Sequence, residues 1–289
     1  TVNEDVQDTI THDYGTPYEG YVIITPGTNY NSGAIPTAAS KAVRGPLYRF
    51  AYSGNGDATK ITEITNWGCF SSNMSAVFDG CYNMKITATD EILWFDYLSA
   101  NIPGSLDWYF ENCRSLTTED MTMIGQKLLL AKPATSIRGM FFACTNIIGN
   151  GLPSWDITNI TNSNGFMQLF LNCWVMNQDL SGWDMSNSKT VERMFQDARV
   201  LRFDISQWDI SNVLRGQNFL LSADLFDDGS ATTTAIYDAT LIAWNNLSVQ
   251  DNVNMHFGGA TYTGGGTAAA ARQALIDDHN WTITDGGTA

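Results

Sequence analysis

A small residue follows a phenylalanine by three positions again and again along this chain: Phe78 and Cys81, Phe110 and Cys113, Phe141 and Cys144, Phe170 and Cys173, Phe195 and Ala198, and more weakly Phe219 and Ser222. The steps from one phenylalanine to the next are 32, 31, 29, 25 and 24 residues. A unit of that size cannot bury an apolar face alone, so recurrence at this period predicts units that stack and bury their faces on one another. With 44% hydrophobic residues in 289, including 14 Phe, 11 Tyr and 9 Trp, the chain has enough apolar surface to do so.

Each of the first five units places further apolar residues one and four positions before its phenylalanine, as in Leu106, Tyr109, Phe110 and Ile137, Met140, Phe141. With the small residue added, the spacing is i, i+3, i+4, i+7, which predicts one face of a short helix. Ser72, Ser105, Ser136, Asn164 and Thr190 precede that face and are expected to cap its first turn. Three residues beyond the small position stand Met84, Leu116, Ile147, Met176 and Leu201, which would lead into a short extended segment. The expectation is therefore an α/β repeat solenoid of leucine-rich-repeat type, with a short helix and a short strand in each coil.

A second motif falls in register with the first. Trp-Asp-x-Ser/Thr-Asn occurs at Trp155, Trp183 and Trp208. The indoles are expected in the core with the phenylalanines. The Asp and Ser/Thr that follow are expected to close Asx- and ST-type turns on the backbone.

The run FxxC followed by NQDLSGWDMSN resembles the BspA-like leucine-rich repeat family, in its surface-protein variant with a repeat of about 26 residues. The likeness covers about residues 61–226 and is most specific over 144–214, where WDITNIT, WDMSNSK and WDISNVL align; the first two units are longer and lack Trp-Asp. ITHDYGTPYEGYVIITPG (10–27) resembles the closing strands of the PKD-like β-module that often precedes such repeats, which implies a chain starting inside that module. The resulting division is an N-terminal β segment over 1–60, the BspA-type solenoid over 61–230 and an atypical C-terminal capping unit over 231–289. In the last, YDATLIAWNNL reads as an amphipathic helix, and TAAAARQALIDDHNWTITDGG as an Ala-rich helix, a His-Asn turn and a short strand.

Cys81, Cys113, Cys144 and Cys173 fill a position that Ala198 and Ser222 also occupy, so the position selects for small size. Parallel Cβ vectors in a stack suit packing better than bridging, and free buried thiols are favoured over a disulfide ladder; a bond between Cys69 and Cys81 stays open. The motifs offer little chemistry. His12, His256 and His279 are the three histidines and lie far apart, without HExxH. GGATYTGGGTA lacks the lysine and spacing of a phosphate loop. Asp227-Asp228-Gly229-Ser230 and Asn55-Gly56-Asp57 do not complete a calcium loop. Carboxylate pairs such as Asp107 with Glu111 or Asp204 with Asp209 arise readily among 30 acidic residues. The expectation is a protein without enzymatic activity, with no catalytic, cofactor-binding or metal residues.

The formal charge of -15 repels phosphate backbones and anionic lipid, which argues against nucleic-acid partners. No apolar run approaches the roughly 20 residues that span a bilayer, which argues against membrane insertion. The start, TVNEDVQDTITHDYG, has neither a basic n-region nor an initiator Met, as expected of an excised or processed piece. Two functions fit: an extracellular recognition or adhesion module presenting its repeats to a protein or glycan on a cell surface, or a structural part of a larger assembly, such as a phage tail or fibre protein or a surface filament, touching neighbouring subunits. The localisation expected is a cell or virion surface. A partner would meet outward residues that vary between units, namely Asn177, Gln178, Asp179 and Ser181 in one and Arg202, Asp204 and Gln207 in the next. Trp94 and Tyr97, in an early insertion, form a competing patch unless they cap the stack.

Overall fold

The computed structural model describes residues 58–59, 61–64, 75–87, 104–117, 134–223 and 228–289. The N-terminal β segment expected over 1–60, Cys69, Trp94 and Tyr97 thus fall almost entirely or wholly outside the described residues.

The α/β solenoid with a helix and a strand per coil is overturned. The described residues hold two α-helices, α1 (Ala231–Asn245) and α2 (Thr267–His279), both after the six Phe-x-x-small units read above. The strands are two or three residues long: β1 (Glu63–Ile64), β2 (Lys85–Ile86), β3 (Gly104–Ser105), β4 (Ala134–Ser136), β5 (Asn254–His256), β6 (Thr261–Tyr262), β7 (Thr282–Thr284) and β8 (Gly287–Thr288). They form four separate two-stranded parallel sheets, pairing β1 with β2, β3 with β4, β5 with β7 and β6 with β8.

Where helices were expected the chain makes consecutive tight turns. Two residues before and two after each phenylalanine the backbone enters the left-handed region: Trp108 and Asn112 at φ 60° and 59°, Gln168 and Asn172 at 61° and 62°, Arg193 and Asp197 at 53° and 60°. A right-handed helix cannot pass through such residues. Gly139 occupies one of these positions at φ 58°, and a Cβ there would lie 2.0 Å from the Trp108 ring, so only glycine fits. Two of the five expected helix caps act locally instead: Ser105 Oγ accepts the Asp107 N–H at 3.2 Å and Thr190 Oγ1 accepts the Glu192 N–H at 3.1 Å, each closing a turn, whereas Ser136 donates to Asp107 of the preceding unit and Ser72 lies outside the described residues.

Left-handed conformations cost an ordinary residue roughly 1–2 kcal/mol each. The compensation comes from the next unit. Trp108, Phe110 and Asn112 donate their N–H groups to the carbonyls of Arg138, Met140 and Phe142 at 2.7–2.9 Å, and Gln168, Phe170 and Asn172 donate to Glu192, Met194 and Gln196 at 2.9–3.0 Å. Alternate residues therefore bond across units while those between them close i→i−3 turns, and the interior backbone is satisfied without a helix.

This ladder fixes the register of the sixth unit. Phe195 donates to Phe219, so Leu220 is the equivalent of the earlier phenylalanines and buried Ala223 of the cysteines; Ser222 is exposed with φ 58°. The Phe219 and Ser222 assignment is corrected by one residue. The ladder continues past 230, since Leu220 donates to His256 at 3.0 Å and Phe257 to Thr284 at 2.8 Å. Phe257-Gly-Gly-Ala260 repeats the Phe-x-x-small pattern there, with both end residues buried.

The core follows the ladder. Phe78, Phe110, Phe141, Phe170 and Phe195 stack with centroids 5.6–5.8 Å apart and planes within 8° of parallel. Trp155, Trp183 and Trp208 pack against Phe141, Phe170 and Phe195 at 6.0–6.3 Å. The four described cysteines are free and buried. Small size is not their whole role: the thiols of Cys113, Cys144 and Cys173 donate to the carbonyls of Phe78, Phe110 and Phe141 at 3.0–3.2 Å. Burial pushes the Cys81 thiol up to about 12, and those of Cys113, Cys144 and Cys173 well above the ordinary range, which leaves them inert at neutral pH.

Candidate partner-binding surface

The Trp-Asp-x-Ser/Thr-Asn motif sets where the outward residues sit. Trp183 and Trp208 donate their indole N–H to the carbonyls of Leu152 and Leu180, each at 2.9 Å and each in the preceding unit. Asp156, Asp184 and Asp209 accept the N–H of the residue two positions on at 2.9–3.1 Å, closing the expected Asx turns. The Asn reaches back as well, Asn187 to the Thr158 carbonyl at 2.9 Å and Asn212 to that of Ser186 at 2.8 Å. In the last two copies of the motif the Trp and Asn side chains thus bond to the preceding unit, while the Asp closes a turn within its own.

Between the apolar residue after the small position and the next Trp, Asn177, Asp179, Arg202 and Gln207 are exposed, and Gln178, Ser181 and Asp204 are half-buried. Asn177 and Arg202 are brought together, because the Asn177 side chain accepts the Arg202 N–H at 3.1 Å. Asp179 and Asp204 hold equivalent places and each accepts from the serine two residues on, at 2.9 and 2.8 Å. Those bonds from Ser181 hold the Asp179 carboxyl below its ordinary value. Arg202 pairs with Asp228 at 2.8 Å, and Gln207 donates to Ser206 Oγ at 3.2 Å. Trp94 and Tyr97 lie outside the described residues.

Some residues of the discounted motifs make local bonds, and His12 and Asn55-Gly56-Asp57 lie outside the described residues. Asp228 accepts the Ser230 N–H and the Thr233 hydroxyl at 2.8 Å each, at the start of α1. Asp107 takes the Arg138 N–H at 3.0 Å and lies 3.5 Å from its guanidinium. His279 meets Asp251 at 3.0 Å, and His256 accepts the Gly258 N–H. Among the described residues no group of three or more His, Cys, Asp or Glu is placed to hold a metal ion. No helix among them is long and apolar enough to cross a membrane.

Glu111 carries an electrostatic feature that sequence reasoning missed, since its neighbour is Asp79 of the preceding unit and not Asp107. Burial, and then the charge of Asp79, raise its carboxyl from an ordinary 4.5 to about 7. An acid raised in the folded state contributes stability that is fully present below 4.5 and lost as pH rises through about 7. Glu111→Gln is therefore expected to gain stability relative to the wild type as pH rises from about 4.5 to about 7, read from denaturation midpoints. A difference constant over that window would contradict the placement.

Sequence reasoning also passed over the position directly after the small residue, held by Tyr82, Arg114, Thr145, Trp174 and Arg199. Trp174 is 41% exposed. The available signal was a long side chain at four of five equivalent places.

Among curated proteins and among solved structures, none matches this chain. One family model matches twice, over residues 105–234 and 135–262, the two matches displaced by about one Phe-to-Phe step. Together they extend over more than half of the 289 residues. The chain belongs to that family, described as "Mycoplasma protein of unknown function, DUF285".

Proposed function

We propose that this chain is a non-enzymatic, BspA-like surface module that acts outside the cell, presenting rows of equivalent side chains to a protein or glycan partner. The observation that supports this reading most is the cross-unit ladder of backbone bonds. It commits Phe, Cys and Trp to packing and brings equivalent outward positions into rows, as Asn177 and Arg202 meet across two units. Such a surface is wide, regular and variable in side chain, which suits recognition of an extended partner. Membership of the DUF285 family is consistent with a BspA-like surface protein.

The test is the combined variant Asp179→Asn, Arg202→Gln and Gln207→Ala, in which Asn can still close the Asx turn. Against the strongest ligand found on an array of glycans and host surface proteins, affinity is expected to fall at least tenfold with an unchanged melting temperature. Undiminished binding would move the site elsewhere, and an array without any ligand would contradict the recognition role.

A further inference from the structure

The row one position after the small residue carries chemistry of its own. The Arg114 guanidinium lies 4.9 Å from the centroid of the Tyr82 ring, and that of Arg199 lies 4.7 Å from Trp174. Each arginine reaches back one unit and lies on an aromatic side chain. Arg138, Arg202, Arg215 and Arg272 each have a carboxylate within 3.7 Å, whereas among the described residues Arg114 and Arg199 have none. In a chain of net charge -15, two guanidinium groups held by rings and, among the described residues, without a carboxylate partner retain their N–H donors for something else.

Apolar surface adjoins them in the sequence of the same turns. Trp174 and Val175 are 41% and 42% exposed, whereas Ile148, 41% exposed, stands four positions after Cys144 in the row of Asn177 and Arg202. Only Leu214 joins these three as an exposed large hydrophobic among the described residues. Exposed aromatic and aliphatic side chains beside arginine are the composition of an interface centre.

We propose that this row binds an acidic polypeptide segment that also carries apolar side chains, its carboxylates on the donor forks of Arg114 and Arg199 and its apolar residues on Trp174 and Val175. A planar guanidinium fork matches a carboxylate in two parallel hydrogen bonds. Arg114 and Arg199 are three units apart, about 14 Å at a strand spacing of ~4.8 Å, which about four residues of extended chain would cover. Trp174 with the aliphatic Val175 favours a polypeptide over a polyanionic glycan, because an aliphatic side chain buries apolar groups that a polysaccharide supplies sparsely. The inference rests on the recognition reading above and names a partner chemistry at a different row.

The probe is a random copolymer of glutamate and tyrosine at physiological salt, compared with poly-glutamate and with polygalacturonate. The wild-type chain is expected to bind the copolymer most tightly. The double variant Arg114→Ser and Arg199→Ser should lose at least tenfold in affinity at an unchanged melting temperature. Arg199→Lys, which keeps the charge and loses the fork, should show an intermediate loss. The combined variant at Asp179, Arg202 and Gln207 should bind the copolymer as the wild type does. No copolymer binding, equal binding by the double variant, or preference for polygalacturonate would each overturn the inference. None of these touches the recognition reading, which the array result judges separately.

Discussion

Replacing Phe170 by alanine is expected to lower the stability of the chain by about 3–5 kcal/mol, the range for truncating a fully buried aromatic side chain. Phe170 has no exposed surface and sits in the middle of the column, 5.7 Å from Phe141 and 5.6 Å from Phe195, with Trp183 against it at 6.2 Å. Near-parallel rings at these distances are offset stacks, so the loss includes ring contacts on both sides as well as the cavity. The backbone of Phe170 bonds to Met194 ahead and its carbonyl accepts from Cys173, which ties the ring to the ladder. Phe170→Leu fills most of the space and should cost much less. Denaturant unfolding measures both, and an alanine variant as stable as the wild type would remove the column from the core.

The second large effect is expected at Asp285. Its carboxylate is 3% exposed and accepts from the Tyr237 hydroxyl at 2.6 Å, from Arg272 Nε at 2.7 Å and Nη2 at 3.2 Å, and from the Gly287 N–H at 3.1 Å. These bonds join α1, α2 and the segment between β7 and β8. Removing one partner of a buried pair strands the other charge, so Asp285→Ala should cost about 3–5 kcal/mol. Adding Arg272→Met relieves the stranded guanidinium and should restore part of the loss. A double variant no more stable than Asp285→Ala would show that the cost comes from the lost tyrosine and backbone bonds instead.

The buried face was legible in the sequence, since Leu106, Tyr109, Phe110 and Cys113 are all interior at the spacing that marked them. The backbone that buries them was not, because a chain of tight turns also returns to one face at i, i+3, i+4 and i+7. A signal against the helix stood in FDGC, FENC, FLNC and FQDA, where the residue before the small one is Gly80, Asn112, Asn172 or Asp197. These types tolerate the left-handed region better than others do, and all four adopt it. Ala143 and Gln168 adopt it too with no such preference, which only the bonds from the next unit explain. The Asx turns after Trp155, Trp183 and Trp208 were legible because each bond spans two residues of one motif. The sixth register was hidden because Phe219 and Ser222 offer a Phe-x-x-small pattern one residue out of step, and the pattern at Phe257 because α1 lengthens the step to it. The pairing of Arg199 with Trp174 depends on stacking, as does the nearness of Glu111 to Asp79, so neither could be read from one unit.

The repeated units are turns bonded to one another and not helices. Residue-resolved hydrogen exchange of the native chain tests this most directly. The N–H groups of Phe110, Phe141, Phe170 and Phe195, each donating to the next unit, should be protected together and exchange only through cooperative opening of the stack. The exposed Ser222, two residues beyond the ladder position Leu220, should exchange early. Rapid exchange at the four phenylalanines, or protection that follows each unit separately, would contradict the account.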